Sequence, residues 1–411
     1  MLSAFRQLPY MGVIRVNVEA IENHGYRMGD PAWANLGQGQ PEVGPMEGAP
    51  PRIETLPILP EDHAYGPIEG IGELREAIAA HYNRLYRQGK ASQYTAENVA
   101  VAPGGRAALT RIGAILEKGR LGYFTPDYTA YEDLLTTFPR IEPVWIELTA
   151  DKGFRLSPDE LEARIVNDRL QSVLISNPCN PTGAVVKDEA LKGWIDVARR
   201  HGTALLLDEF YSHLVYDLDD RPVSGAEFVE DINEDPVVLV DGLTKSFRYP
   251  GWRVGWVVAP KQVIQALAAA GSFLDGGPCR PIQRAAILAL EPTQADQETE
   301  AVRKVFRQKR DLTVNALTAL GVEFPHHPEG TFYAFGYVGN LPAPFNDGEG
   351  FMRAAFGAKV LTVPGEYFDV NPHRSRTGLS PLKPWVRFSF GPPRPTLEAG
   401  LGRLAELIRG S

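Results

Sequence analysis

The sequence predicts an α/β protein: a large domain on a mostly parallel, helix-covered sheet of the seven-stranded type, with a smaller α+β domain beside it. Three observations predict it. Short apolar runs alternate with segments of helical periodicity from residue 98 to residue 259, the pattern of repeated strand–helix–strand units. The chain has 411 residues, too many for one ordinary domain. After about residue 292 the texture changes to a long charged amphipathic segment. The expected division is therefore 45–292 for the large domain, and 1–44 together with 293–411 for the small one.

The elements follow in order. Residues 1–35 form a short arm with one helix, and residues 43–62, rich in Pro and Gly, an irregular connection. From Ile71 to Tyr86 apolar residues recur at helical spacing. Strands are expected at 98–102, 121–125, 143–148, 173–176, 204–207, 236–240 and 254–259. Helices are expected from Gly104-Gly105-Arg106 to Lys118, at 128–138, at 157–166 behind a Ser-Pro-Asp-Glu start, and at 189–201. The last third holds a long helix at 295–320, strands at 331–337 and 385–390, and helices at 351–358 and 395–408.

Bulk properties narrow the function classes. Hydrophobic content of 44%, charged content of 23% and a net charge of −9 fit a soluble globular protein and argue against nucleic acid or an anionic membrane as partner. Two cysteines give neither a disulfide framework nor zinc spacing. The N-terminus lacks the apolar segment of a signal peptide, and no run of 18 apolar residues occurs, so a cytoplasmic location without membrane attachment is expected. The glycines at 37 and 39 do not make a dinucleotide fingerprint, because the third glycine position is Glu42 and no strand precedes them. Adjacent His326 and His327 have no other ligand cluster, and no metal site is expected.

In parallel sheets ligands gather at the carboxyl ends of strands, where Gly104, Asn177, Asp208 and Lys245 fall. A lysine beside a sheet can lose solvation and become a carbonyl-seeking amine. Arg253, across a Pro-Gly turn, can hold an anion with its fork.

The motifs Tyr65-Gly-Pro-Ile-Glu-Gly-Ile-Gly, Ser176-Asn-Pro-Cys-Asn-Pro-Thr-Gly, Leu207-Asp-Glu-Phe-Tyr, Thr244-Lys-Ser-Phe-Arg-Tyr-Pro-Gly-Trp-Arg, Pro328-Glu-Gly-Thr-Phe-Tyr and Val386-Arg-Phe-Ser-Phe stand in this order along the chain. Together they resemble the class I/II pyridoxal-phosphate-dependent aminotransferases of fold type I, the aspartate aminotransferase-like superfamily, from about Leu36 to Gly391.

The resemblance implies an enzyme that transfers the amino group of an L-amino acid to a 2-oxo acid by a ping-pong mechanism, with pyridoxal 5′-phosphate as cofactor. It implies that Lys245 forms the internal aldimine and shuttles the proton, and that Asp208 pairs with the pyridine nitrogen. Tyr211 and Asn180 would bond the ring's phenolic oxygen, and Tyr128 would stack on its face. The phosphate would be held by the amides of Gly105 and Arg106, by Arg253, by Thr244, and by Tyr65 from a neighbouring subunit. Arg387 would grip the substrate α-carboxylate with Asn180 and the amide of Gly39. Tyr65 thereby implies a homodimer with shared active sites. Asp275 and Arg280 are candidate specificity residues, the first for a basic and the second for an acidic side chain. Cys179 lies inside the asparagine loop, where a thiol probe is expected to affect activity.

The same residue set also serves β-elimination, cyclisation, decarboxylation or oxidation, which is the alternative outcome. A regulatory relative would carry an N-terminal DNA-binding domain, for which the start of family-like sequence near Leu36 leaves no room. A cofactor-free aldolase would not need Asp208 and two phosphate-binding elements.

Overall fold

The computed structural model describes residues 9–216 and 221–410; the start of the expected N-terminal arm, 1–8, lies outside them. Helix α1 (Gly12–His24) leads to a short strand, β1 (Ala34–Asn35), and then to the irregular connection. Helix α2 (Gly72–Tyr86) buries Leu74, Ile78, Ala79 and Tyr82. The alternation that follows is β2 (Val99–Ala102), α3 (Gly105–Ile115), β3 (Gly119–Thr125), α4 (Ala130–Thr137), β4 (Ile141–Glu147), α5 (Pro158–Asp168), β5 (Ser172–Ser176), α6 (Asp188–His201), β6 (Ala204–Asp208), β7 (Val237–Gly242) and β8 (Gly255–Val258). Local chemistry explains the starts and stops. Ser157 accepts from the Glu160 amide at 3.2 Å while Glu160 Oε2 accepts from the Ser157 amide at 2.8 Å, a capping box with Pro158 in the first turn. At the far end of α6, Gly202 takes the left-handed conformation at φ 64°.

Two helices, α7 (Lys261–Leu274) and α8 (Arg280–Ala289), occupy a stretch for which the sequence suggested no element. The many alanines of α7 blur its periodicity; its buried set is Ile264, Leu267, Ala270 and Gly271. Helix α3 also stops three residues short of the expected Lys118, at a Leu116 in extended conformation. The chain continues through α9 (Pro292–Thr318), β9 (Tyr333–Tyr337), α10 (Gly348–Gly357), β10 (Val360–Leu361), β11 (Val363–Pro364), β12 (Trp385–Ser389) and α11 (Arg394–Arg409).

The large sheet has seven strands in the order β2-β8-β7-β6-β5-β3-β4. Strands β4, β3, β5, β6 and β7 run parallel, and β8 is antiparallel to both its neighbours. Strands β5 and β7 are buried at every position, as expected when helices cover both faces. Edge strand β4 instead alternates, burying Ile141, Val144 and Ile146 while Glu142, Trp145 and Glu147 face out. A smaller antiparallel sheet has the order β11-β12-β9, and β1 pairs in parallel with β10. None of the described helices is long and apolar enough to cross a membrane.

Candidate active site

Three parallel strands end side by side: Ser176 pairs with Asp208, and Asp208 with Val240. The loop after β5 is fixed by the Asn177 side chain, which donates to the Val186 carbonyl and accepts from its amide, both at 2.8 Å. That closure presents Asn180. Lys245 sits in the connection between β7 and β8, closed by bonds from the Leu243 amide to the Val254 carbonyl and from the Tyr249 amide to the Leu243 carbonyl.

One end of the cleft suits an anion. Gly104, just before α3, is held at a positive φ of 89° that favours glycine, and a Cβ there would strike the Arg253 guanidinium. A Cβ on Gly255 would lie 2.8 Å from backbone atoms of Gly104 and Gly105. Glycine at both positions lets the helix start, with its unpaired N–H groups and positive dipole end, close on the Arg253 fork. Thr244 Oγ1 is buried here with no hydrogen-bond partner among the described residues. An orphaned hydroxyl costs about 1–3 kcal/mol, a cost that an oxygen-rich ligand removes.

The middle of the cleft holds acid and aromatic groups. Asp208, 5% exposed, accepts from the Tyr131 hydroxyl at 2.8 Å. Burial pushes its carboxyl up to about 6, against that hydrogen bond and the nearby Lys245 charge. Tyr128 stands edge-on to Tyr131 with centroids 5.5 Å apart, and its hydroxyl accepts from Arg106 Nε at 3.1 Å. Behind it Asp127 accepts from the Tyr128 amide at 2.7 Å and from the Ser176 hydroxyl and amide. Burial raises the Asp127 carboxyl to about 8 despite these bonds.

At the other end Arg387, from β12, donates to Asn180 Oδ1 at 2.9 Å and to the Gly37 carbonyl at 2.8 Å, while its buried Nε has no partner among the described residues. Its guanidinium lies 4.0 Å from the ring centroid of Tyr333, whose hydroxyl is 3.0 Å from that of Tyr211. Lys245 Nζ donates to the Gly39 carbonyl. Desolvation, then repulsion from Arg387, Arg106 and Arg253, lowers the Lys245 ammonium to about 7, with Asp208 opposing.

Contacts and the charges acting on Lys245 thus gather Lys245, Asp208, Tyr211, Asn180, Tyr128, Thr244, Arg253, Arg387, Gly39, Gly105 and Arg106 around these strand ends. Tyr65 does not join them; its side chain is 97% exposed. Asp275 is not a free carboxylate. Buried Arg111 holds both its carboxylate oxygens, at 2.8 and 2.5 Å. Arg280 packs against Gly66, beside Tyr65. Cys179 is buried and its thiol is pushed up to about 12 by burial, so it is shielded from the probe expected to reach it. Tyr131, Asp127 and Tyr333 were missed. Tyr333 closes the Pro328-Glu-Gly-Thr-Phe-Tyr motif, Asp127 directly precedes Tyr128, and a Tyr three residues after Tyr128, one helical turn on, is the available signal for Tyr131.

Comparison with known proteins gives a consistent family. The model of the family described as aminotransferase class I and II matches residues 31–404. The aspartate/prephenate aminotransferase of Thermus thermophilus is 30% identical over 349 residues, 84% of this chain and 83% of that one. An aspartate aminotransferase of Rhizobium meliloti is 30% identical over 388 residues, 90% of this chain and 87% of its own length. The structure of Thermus thermophilus aspartate aminotransferase with maleate superposes with a TM-score of 0.78 at 26% identity, covering 98% of this chain and 100% of that one.

Proposed function

The chain belongs to the class I and II aminotransferases, enzymes dependent on pyridoxal 5′-phosphate, and from that premise we propose that it moves the amino group of an L-amino acid to a 2-oxo acid in two successive half-reactions at this cleft. The residues present fit the cofactor: an orphaned Thr244 hydroxyl, a glycine-lined helix start and Arg253 suit a phosphate, and a buried carboxyl suits a ring nitrogen. When bound, the cofactor supplies an aldehyde for the amino group and a ring that takes up electrons from the substrate Cα.

The chain's own groups divide the remaining work. Arg253, Thr244 Oγ1 and the amides of Gly105 and Arg106 hold the phosphate. Asp208, oriented by Tyr131, keeps a proton on the ring nitrogen. Tyr211 and Asn180 would bond the phenolic oxygen, and Tyr128 would cover the ring face. Arg387, with the Gly39 segment, holds the α-carboxylate. Lys245 would carry the cofactor and, once released from it by substrate, would move a proton between the substrate Cα and the cofactor carbon. The observation that carries this reading is Lys245 itself, set among Arg387, Arg106 and Arg253 with Asp208 opposing.

Arg106 is a third cation beyond those given to the phosphate and the α-carboxylate. It supports an acidic amino acid as donor, as do the relatives named for aspartate. Exposed Tyr65, with exposed Phe273, supports a homodimer in which Tyr65 reaches a neighbouring phosphate. The pairing of β1 with β10 supports residues 1–44 and 293–411 as one small domain beside 45–292. The compartment proposed is the cytoplasm.

The test is one half-reaction. Aspartate alone, without an oxo acid, should convert the bound cofactor's visible absorbance to that of its aminated form in near-stoichiometric yield. Release of ammonia or of a side-chain fragment instead would replace this reading with an elimination or related outcome.

A further inference from the structure

Tyr333 opens β9 in the small sheet, whereas Tyr211 follows β6 in the large one, so their hydroxyl pair at 3.0 Å bridges the two sheets across the cleft. Tyr333 is 1% exposed and is locked from behind, its amide donating to Thr331 Oγ1 at 3.1 Å. Arg387 lies over its ring. A cation on the ring face draws electron density from the phenol, making Tyr333 the better donor of the two hydroxyls. We infer that Tyr333 is a positioning residue, donating to Tyr211 Oη so that the one Tyr211 proton is aimed into the cleft, while its ring fixes Arg387. A single residue thereby sets both the ring-side hydrogen bond and the carboxylate grip, and couples them to the apposition of the two sheets.

This rests on the proposed seat of the cofactor beside Tyr211. The experiment compares wild type, Tyr333→Phe and Tyr333→Leu, each loaded with pyridoxal 5′-phosphate, by titrating the visible absorbance against pH and measuring KM for aspartate. Tyr333→Phe keeps the ring and loses the hydroxyl. Without its donor Tyr211 becomes a weaker donor to the phenolic oxygen, and the apparent pKa of the absorbance should rise by roughly half to one unit. KM should stay within about twofold, because the cation–ring contact remains. Tyr333→Leu should show the same rise and also raise KM roughly tenfold. An unchanged or lowered pKa in Tyr333→Phe, or an unchanged KM in Tyr333→Leu, overturns the inference. A wild type that develops no visible band overturns the functional proposal beneath it, so the two failures are distinguishable.

Discussion

Arg387 and Asn180 meet at 2.9 Å, joining β12 of the small sheet to the loop after β5 of the large one. The contact leaves Arg387 Nε unpaired, so the fork is held in place and still has a donor to offer. Arg387→Lys keeps the charge and loses the planar fork. Losing one partner of a buried, hydrogen-bonded charge pair costs about 2–5 kcal/mol. Steady-state kinetics should show kcat/KM for the amino acid reduced by roughly 10²-fold or more, mainly through KM.

Asp208 and Tyr131 should separate by magnitude. Asp208→Asn removes the charge facing the ring nitrogen, and kcat should drop roughly 10²–10³-fold, as for other electrostatic groups in a dry site. Tyr131→Phe removes only the 2.8 Å hydrogen bond, and about a tenfold loss is expected. Equal losses in the two variants would contradict the assigned roles.

Lys245 gives a pH signature in the cofactor-free chain. Its folded-state ammonium titrates near 7, against an ordinary 10.5. Between those values the unfolded chain binds the extra proton, so this group makes stability rise with pH across that window. Lys245→Met lacks the effect. It should be the more stable protein at pH 7, with a gap that narrows as pH approaches 10, measured by thermal melting of both proteins without cofactor.

Asp275→Asn should leave the preference among acidic, neutral and basic amino acids unchanged and lower stability instead. The change removes the charge paired with Arg111, whose side chain is 1% exposed against 18% for Asp275 and which keeps its bonds to the Ile68 and Val101 carbonyls. Breaking a fully buried pair costs about 3–5 kcal/mol; partial exposure of Asp275 brings the expected loss to about 2 kcal/mol, read from denaturant unfolding. A switch in substrate preference would restore Asp275 as a specificity residue.

Much of this architecture was legible in the chain because it rests on local chemistry. Buried apolar runs mark the parallel strands, and the turn-forming Asn177–Gly183 and Tyr249–Arg253 stretches mark where Asn180 and Lys245 are presented. What escaped depends on partners chosen across the fold. Asp275 belongs to an arginine 164 residues away, and nothing in its own neighbourhood signals that. Tyr333 looks like an ordinary strand residue until β9 and the loop after β6 are brought together. Helices α7 and α8 were lost for a different reason: alanine is apolar on every face, so periodicity carries little contrast there.

The central claim is that Lys245 carries the cofactor. Reducing the native enzyme with borohydride should fix pyridoxal 5′-phosphate to one peptide, with the added mass on Lys245 by mass spectrometry, and Lys245→Ala should lose both the label and transamination. Label on a different lysine, or full turnover by Lys245→Ala, would contradict it.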